Sequence, residues 1–523
     1  MQELPVSLDN FSLLRRKNRL YVDKSQRLAE LADRHDWVFL ARPRRFGKSL
    51  TVSTLEAMFS GRMELFHGLG AEAWVAKRSE SPLPVLRLNL GRLPSLGTVQ
   101  ELNDALVLEL LRLAGTHGVQ LPKATNASTM LNTVLHAIYD KSGEIVVLID
   151  EYDKPMLNNI DDIHKIEEIR RIFCDFYSVL KACSECIFFA FITGISKFAK
   201  FGLFSSMNNL DDISMNEEYG DILGCTQKEL ESYYEYWIQK TCLNMNIDRL
   251  ELLEQIRKYY DGFCFDGKTK VYNPFSLNNF FAKGRFDNYW NQSAQSSFLI
   301  KWIKKHRIDD PDRYRHLVVP IEFADSLEIE NAKPESFLYQ SGYLTIEKIE
   351  GQQIVIDYPN YEVIRAISKI YAEFIYKIDD FITLGNDIWD ALAKHDFLKL
   401  IRAYNVAIAK LPYDEFPVRN EYWYRMVFES VLRGAGIIVY AEVHTYKGRS
   451  DIVIQRNNEI YVIEFKLAKD ETQIQKKIRE GWSQIREKGY AEGYKDSGRF
   501  IAEAVIVVDD KNKVASISTS DEI

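Results

Sequence analysis

The chain has 523 residues, of which 46% are hydrophobic and 27% charged, with a net charge of -8. That length predicts about three domains with ample apolar residues for large cores, in an ordinary globular composition. The acidic balance argues against a protein that coats nucleic acid indiscriminately, although it is compatible with a local basic groove. No stretch approaches the ~18 uninterrupted apolar residues of a membrane span, and the N-terminus lacks a signal-peptide pattern. We therefore expect a cytoplasmic protein with no membrane partner. Six cysteines lie loosely between Cys174 and Cys264, which fits a reducing compartment better than a disulfide framework. Only Cys183 and Cys186 have C-x-x-C spacing, and with no second pair or histidine at ligand spacing nearby they are not expected to bind metal.

Residues 4–31, with Phe11, Tyr21, Val22 and Asp23, precede the first predicted strand and are expected to pack across the edge of the first domain. The apolar run 37–40 predicts a buried strand, and 50–59 repeats apolar residues at helical spacing. Between them lies Ala41-Arg42-Pro43-Arg44-Arg45-Phe46-Gly47-Lys48-Ser49. A strand, a tight loop and a helix form a phosphate-binding context, because loop amides and the helix N-terminus converge on one point and favour an anion there. Lys48 is placed to reach the β/γ-phosphates of a nucleotide and Ser49 to offer its hydroxyl to Mg²⁺. Against the motif G-x-x-x-x-G-K-[ST], Arg42 stands where the first Gly belongs, so the first turn must form without a residue that tolerates positive φ. Arg42, Arg44, Arg45, Phe46, Gly47, Lys48 and Ser49 are the candidate nucleotide contacts; the competing reading is a helix start with a surface lysine.

Residues 84–90 predict a second strand, and 99–113 and 128–139 predict helices. Alternation of strand and helix implies a parallel sheet. Five apolar residues, 145–149, predict a strand buried on both faces, and such a strand delivers the residues after it to the sheet's carboxyl edge. There Asp150 is placed to hold a Mg²⁺ water shell, and Glu151 to polarise the water attacking a γ-phosphate. A further strand over 187–192 ends at Thr193, a candidate γ-phosphate sensor, although a strand-end Thr more often only forms a turn. The polar loop 204–210 has no chemistry that residue types reveal.

From Thr226, which forms a capping box with Glu229, the pattern turns helical and aromatic, with Tyr233, Tyr234, Tyr259, Tyr260, Phe280 and Phe281. Interleaved aromatics can stack bases, but a packed core is the expectation. Residues 343–358 alternate about Glu350-Gly351 as a hairpin, suggesting a winged-helix-like lid, and 364–409 is helical.

The character changes at Leu411-Pro412-Tyr413. A helix over 421–432 precedes strands at 437–442, 448–454 and 460–467, with a hairpin turn at Asn457-Asn458. Alternation places Glu464 and Lys466 on the face of Ile460 and Val462, and the neighbouring strand brings Asp451 beside them. Two carboxylates with the Ile463 or Phe465 carbonyl can hold a hard cation, and Lys466 can activate a water or stabilise a phosphorane, as in a phosphodiesterase. The bland alternative is a surface hairpin with a Glu/Lys rung. The helix 472–488 carries Lys476, Lys477, Arg479, Arg486 and Lys488, either a solvated face or a path for a nucleic-acid backbone.

Nearly end to end, these blocks resemble bacterial proteins that join an AAA-ATPase-like domain to a C-terminal nuclease domain of the PD-(D/E)XK superfamily. The matching segments are Tyr21-Val22-Asp23-Lys24, the loop from Arg42 to Ser49, Ile149-Asp150-Glu151-Tyr152-Asp153-Lys154-Pro155, Thr193-Gly194-Ile195-Ser196-Lys197-Phe198, Asn208-Asn209-Leu210, Tyr272-Asn273-Pro274 and Ser341-Gly342-Tyr343-Leu344-Thr345. The resemblance implies that Arg in place of the first Gly is a family trait. It also implies that Glu421 is the first-helix Glu of the nuclease fold, and that Asp451, Glu464, Lys466 and Gln484, with Lys488 and Tyr490, fill its remaining positions. The resulting expectation is an α/β chain: a P-loop ATPase domain with a parallel sheet over 1–222, a helical, winged-helix-like middle over 223–410, and a restriction-endonuclease-like domain over 411–523. Expected ligands are ATP, Mg²⁺ at both sites and DNA, with nucleotide state gating cleavage; a homo-oligomer is compatible with the AAA likeness. The alternative is an ATP-dependent switch or scaffold whose C-terminal domain binds nucleic acid or a partner without cutting.

Overall fold

Five apolar residues without a breaker make Trp37–Ala41 a strand, β1, buried along its whole length. It runs into the loop and then helix α1, Lys48–Phe59, whose N-cap is Gly47. Strand β2 is Val85–Asn89. Helices α2, Val99–Thr116, and α3, Ala127–Ser142, lead to β3, Ile145–Asp150; helix α4, Ile163–Ala182, leads to β4, Ile187–Gly194, with the short β5, Asp211–Asp212, beyond. The order is β2-β3-β4-β1-β5, and every pairing is parallel. Strand β4 therefore stands between β1, which carries the loop, and β3, which carries Asp150. This computed structural model describes residues 2–93, 98–159, 162–197, 209–292, 297–324, 333–411, 419–445, 448–456 and 458–520. Phe198, Asn208, most of the polar loop at 204–210, Pro412, Tyr413 and Asn457 lie outside them.

The capping box at Thr226 and Glu229 is formed at the start of α5, Gln227–Tyr233. Helices α6, Glu235–Met245, and α7, Arg249–Tyr260, follow, then the small ribbon β6, Phe263–Cys264, with β7, Lys270–Val271, and α8, Pro274–Lys283. The aromatic run is core: Tyr234, Tyr260, Tyr272, Phe280 and Phe281 are all buried in one cluster. Strand β8, Leu317–Pro320, and helix α9, Pro334–Ser341, precede the expected hairpin, β9, Thr345–Glu350, and β10, Gln353–Asp357. Its turn has Gly351 at φ 62°, and β8 adds a third antiparallel strand that periodicity did not reveal.

Helices α10, Tyr361–Ile370, α11, Phe381–Ala393, α12, Phe397–Ala409, and α13, Glu421–Gly434, accompany a second sheet. That sheet is β11, Ile438–Thr445, β12, Gly448–Arg456, β13, Glu459–Ala468, then, after helix α14, Ile474–Lys488, β14, Phe500–Asp509, and β15, Val514–Thr519. The first three strands form an antiparallel meander, and α14 is the crossover that lets β14 run parallel to β13. Two compact units result, one comprising Met1–Trp290 with Tyr314–Asn360 and the other Asn291–Arg313 with Tyr361–Ile523. The stretch read from sequence as a separate middle region is thus shared, α5 to α8 with the parallel sheet and α10 to α12 with the mixed one.

Candidate active sites

In the first unit the loop after β1 closes around Lys48, whose ammonium donates to the carbonyls of Arg42 and Pro43, both at 2.8 Å. Burial lowers its pKa to about 8, against the opposing pull of Asp150, Asp153 and Glu151. Positive φ falls at Arg45 (70°) and Gly47 (94°), not at Arg42, so no glycine is needed where the motif would have one. Asp150 is fully buried at the end of β3; its Oδ2 accepts from Asn89 Nδ2 at 3.3 Å, and its Oδ1 has no hydrogen-bond partner. Burial pushes its carboxyl up, while the Ser49 hydroxyl and the Lys48 ammonium pull it down. Glu151 has φ 53° and lies over Gly91, where an added Cβ would come 1.5 Å from its Oε2. Arg44 is exposed and close enough to act on the Lys48 ammonium.

Three residues expected to touch nucleotide have side chains engaged elsewhere. The Arg42 guanidinium is buried, donates to the carbonyls of Ala41, Ser214 and Tyr219, and stacks on the Phe265 ring at 4.2 Å. Phe46 is buried against Phe263 and Phe265, with ring centroids 4.9 and 5.5 Å away, so its side chain anchors the loop to the β6–β7 ribbon. The Thr193 hydroxyl donates to the Leu40 carbonyl at 2.6 Å, tying β4 to β1 instead of facing outward. The residue whose role was missed is Asp153: its Oδ2 accepts from the Ile195 amide (3.0 Å), the Ser196 amide (2.8 Å) and the Ser196 hydroxyl (2.7 Å), fixing the segment after β4. Beside Gly47 opens a cavity of about 190 Å³ lined by Tyr21, Arg45, Thr51, Phe275 and Asn278 among others; sequence pattern did not reveal it, because its walls come from segments far apart in the chain.

In the second unit, the β12–β13 ladder runs to the pair Ile452↔Ile463 and stops. At the next step Asp451 Oδ2 accepts from the Phe465 amide at 2.8 Å, so a side chain replaces the ladder bond and the strands splay. Ile460 and Val462 pack with Trp482 and Ile485 of α14, and Glu464 and Lys466 continue that face. Glu464 is fully buried; its Oε1 accepts from Lys466 Nζ at 2.6 Å and its Oε2 has no partner. Burial and the Asp451 carboxylate raise its pKa, with Lys466 opposing. Burial alone would lower the Lys466 pKa, but Glu464, Glu421 and Asp451 outweigh it and raise it. Glu421, at the first turn of α13, accepts from the Leu467 amide at 2.9 Å and stands 3.9 Å from Lys466 Nζ. Gln484 donates to the Tyr490 hydroxyl at 3.1 Å, and that phenol feels both Glu464 and Asp451. Gln484 also lines a groove along α14 with Lys476, Arg479 and Lys488, although Glu480 takes Lys477 at 2.7 Å.

Sequence reasoning missed Arg425. It donates to Asp451 Oδ1 and Glu442 Oε1, each at 2.8 Å, and pairs with Glu429 at 3.3 Å. The signal was present: Glu421, Arg425, Glu429 and Arg433 follow one another at spacing four on α13, a single face of alternating charge.

The family model described as Predicted AAA-ATPase matches residues 5–204, and that of the PD-(D/E)XK nuclease superfamily matches 419–516. The chain is also 30% identical over 511 residues, 95% of its own length and 94% of the relative's, to an "Uncharacterized protein in vnfD 5'region" of Azotobacter chroococcum mcd 1. It belongs to the family that joins an AAA-ATPase-like domain to a PD-(D/E)XK nuclease superfamily domain. In the AAA-ATPase-like part the buried Asp150 Oδ1 has no donor within hydrogen-bond geometry, although the Ser49 hydroxyl stands close enough to act on the carboxyl, and in the nuclease-superfamily part the buried Glu464 Oε2, beside Asp451, has none. Leaving such an acceptor unsatisfied costs about 1–3 kcal/mol or more, and a hard divalent cation satisfies it, so both residue sets fit Mg²⁺. Asp451 can join, because each carboxylate oxygen keeps a second lone pair after its hydrogen bond. Among the described residues no helix is long and apolar enough to cross a membrane.

Proposed function

We propose that this AAA-ATPase-like nuclease-superfamily protein binds and hydrolyses ATP in its first unit and cuts DNA phosphodiesters in its second. Nucleotide state gates the cut, in cytoplasmic defence against foreign DNA. The observation that supports the reading is that a buried carboxylate with an oxygen open to a further ligand lies beside a buried lysine in each unit, Asp150 with Lys48 and Glu464 with Lys466.

In the first unit Lys48 exchanges two loop carbonyls for the β/γ-phosphates, the amides of Gly47 to Ser49 hold them, and Arg44 adds charge from the exposed side of the loop. The cavity beside Gly47 takes the base, and Glu151, held over Gly91, orients the attacking water. In the second unit Lys466 stabilises charge on the phosphate being cut, Glu421 and Glu464 hold the lysine, and the α14 groove carries the backbone. A divalent cation bound at either site would neutralise phosphate charge and lower the pKa of a bound water. Plasmid incubated with the protein and Mg²⁺, with and without ATP, tests the reading. Lys48→Ala should abolish nucleotide binding, whereas Asp451→Ala and Lys466→Ala should each remove cleavage and leave ATP turnover in place. Cleavage that survives both second-unit variants would rule the nuclease assignment out.

A second reading, a nucleotide-dependent switch that binds DNA without cutting, draws on Arg425, which already occupies one oxygen of Asp451. It predicts retention of plasmid without nicking at any Mg²⁺ concentration.

A further inference from the structure

Cys183 and Cys186 lacked a histidine at ligand spacing, but the fold brings one from 47 residues earlier in the chain. Cys183 is the C-cap of α4, and Ser184–Cys186 forms one 3-10 turn that leads into β4; the face of α3 opposite carries His136. Ligand atoms of His136, Glu185 and Cys186 all lie within 4.8 Å of one another. The Cys183 sulfur is 4.0 Å from the His136 Nδ1, and both cysteines are buried, whereas the imidazole and carboxylate face solvent. Zinc with bonds of about 2.0–2.3 Å needs donor atoms about 3.3–3.8 Å apart, so His136, Glu185 and Cys186 must draw in, and Cys183 joins them by giving up the Asn132 Oδ1 to which its thiol donates at 3.2 Å.

A second observation concerns the imidazole itself. His136 Nδ1 stands 2.9 Å from the Asn132 carbonyl and 4.0 Å from the Cys183 sulfur, so Nδ1 is the ring nitrogen that faces the cysteines and would take the ion on giving up the carbonyl. We propose that Cys183, Cys186, His136 and Glu185 bind a single zinc ion that staples α3 to the α4–β4 junction.

Two sulfurs and an imidazole select a borderline-soft ion over Mg²⁺ or Ca²⁺, and four protein ligands make a closed, structural site. The cluster His316, Glu347 and Asp357 has comparable spacing, but the Arg315 Nε already holds Asp357 at 2.7 Å. The eight residues of β4 separate the zinc ligands from Thr193 and Asp153 by about 25 Å, which puts the staple at the edge of the sheet away from the phosphate loop.

Cobalt titration of the metal-stripped, reduced full-length protein tests the proposal. One equivalent of Co²⁺ should give a thiolate-to-cobalt charge-transfer band with the visible bands of a tetrahedral site, and Zn²⁺ should displace it. Cys186→Ser should weaken the charge-transfer band and the Cys183→Ser, Cys186→Ser double variant should lose it, His136→Ala should bind Co²⁺ about tenfold or more weakly, and Cys242→Ser should behave as the parent. The all-oxygen sites at Asp150 and Glu464 give no thiolate band, so their occupancy cannot mimic the result. Absence of the band in the parent protein, which needs no variant to fold, overturns the proposal. So does its survival in the Cys183→Ser, Cys186→Ser double variant, or a Cys183–Cys186 disulfide that forms in the presence of Zn²⁺.

Discussion

At the scale of single residues, Lys48 is the group on which the proposed phosphate binding turns. Its ammonium rests on two loop carbonyls and is buried enough to bring its pKa to about 8. Bound phosphate favours the charged form, so binding above that value must first take up a proton. ATP affinity should therefore be level below pH 8 and fall by up to about tenfold per unit above it, as equilibrium binding of a fluorescent ATP analogue across pH 7 to 10 would reveal. A flat profile would remove Lys48 from the contact. Glu151 offers a separate handle, because its carboxylate needs the bare Cα of Gly91 beneath it. Gly91→Ala should lower ATP turnover about 10- to 100-fold through misplacement of that carboxylate while ATP affinity stays near the parent's. Steady-state ATPase kinetics alongside a binding titration separate the two effects.

At the scale of elements, each site is made where a regular ladder or helix is interrupted by side chains from another element. Asp451 ends the β12–β13 ladder by taking the Phe465 amide, and the splay leaves Glu464 with an open oxygen. The aspartate stays in place because Arg425, one turn into α13, holds its other oxygen. Removing that arginine takes one partner from each of three carboxylates: Asp451 keeps the Phe465 amide and Glu442 keeps Arg449, whereas the fully buried Glu429 is left to pair with Arg433. Breaking a buried ion pair from one side typically costs about 3–5 kcal/mol, so Arg425→Ala should lower the melting temperature of the second unit by several degrees. Calorimetry of the full chain should show that transition move while the nucleotide-stabilised one stays. The phosphate loop is held by the same kind of device, since Phe46 wedges between Phe263 and Phe265 and Arg42 reaches three carbonyls and an aromatic face.

At the scale of the whole molecule, two compact units each carry one of the candidate sites. Coupling between them requires that one nucleotide state favour a cutting-competent second unit by differential free energy, and no other route exists in equilibrium terms. If nucleotide gates cleavage, plasmid nicking should differ at least about tenfold between ATP and ADP, which corresponds to about 1.4 kcal/mol of coupling. Lys48→Ala should abolish that difference. Nicking at equal rates with ATP, ADP and neither would leave a nuclease whose first unit acts only as structure.

The sequence by itself determined the things that local periodicity and covalent order can carry. The uninterrupted apolar runs 37–40 and 145–149 sufficed for two buried strands, and covalent order put Lys48 and Asp150 just past them. Period-two alternation sufficed to put Glu464 and Lys466 on the face of Ile460 and Val462. Only the tertiary structure decided where each side chain would be satisfied, because a hydrogen bond needs a particular distant partner and a pattern of hydrophobicity names none. Arg42 looked like a nucleotide contact until the Ser214 and Tyr219 carbonyls came within reach, and Thr193 a sensor until β4 lay beside Leu40. His136 came near Cys183 and Cys186 for the same reason: two helices and a strand had to pack before two distant segments of chain shared a few ångströms of space.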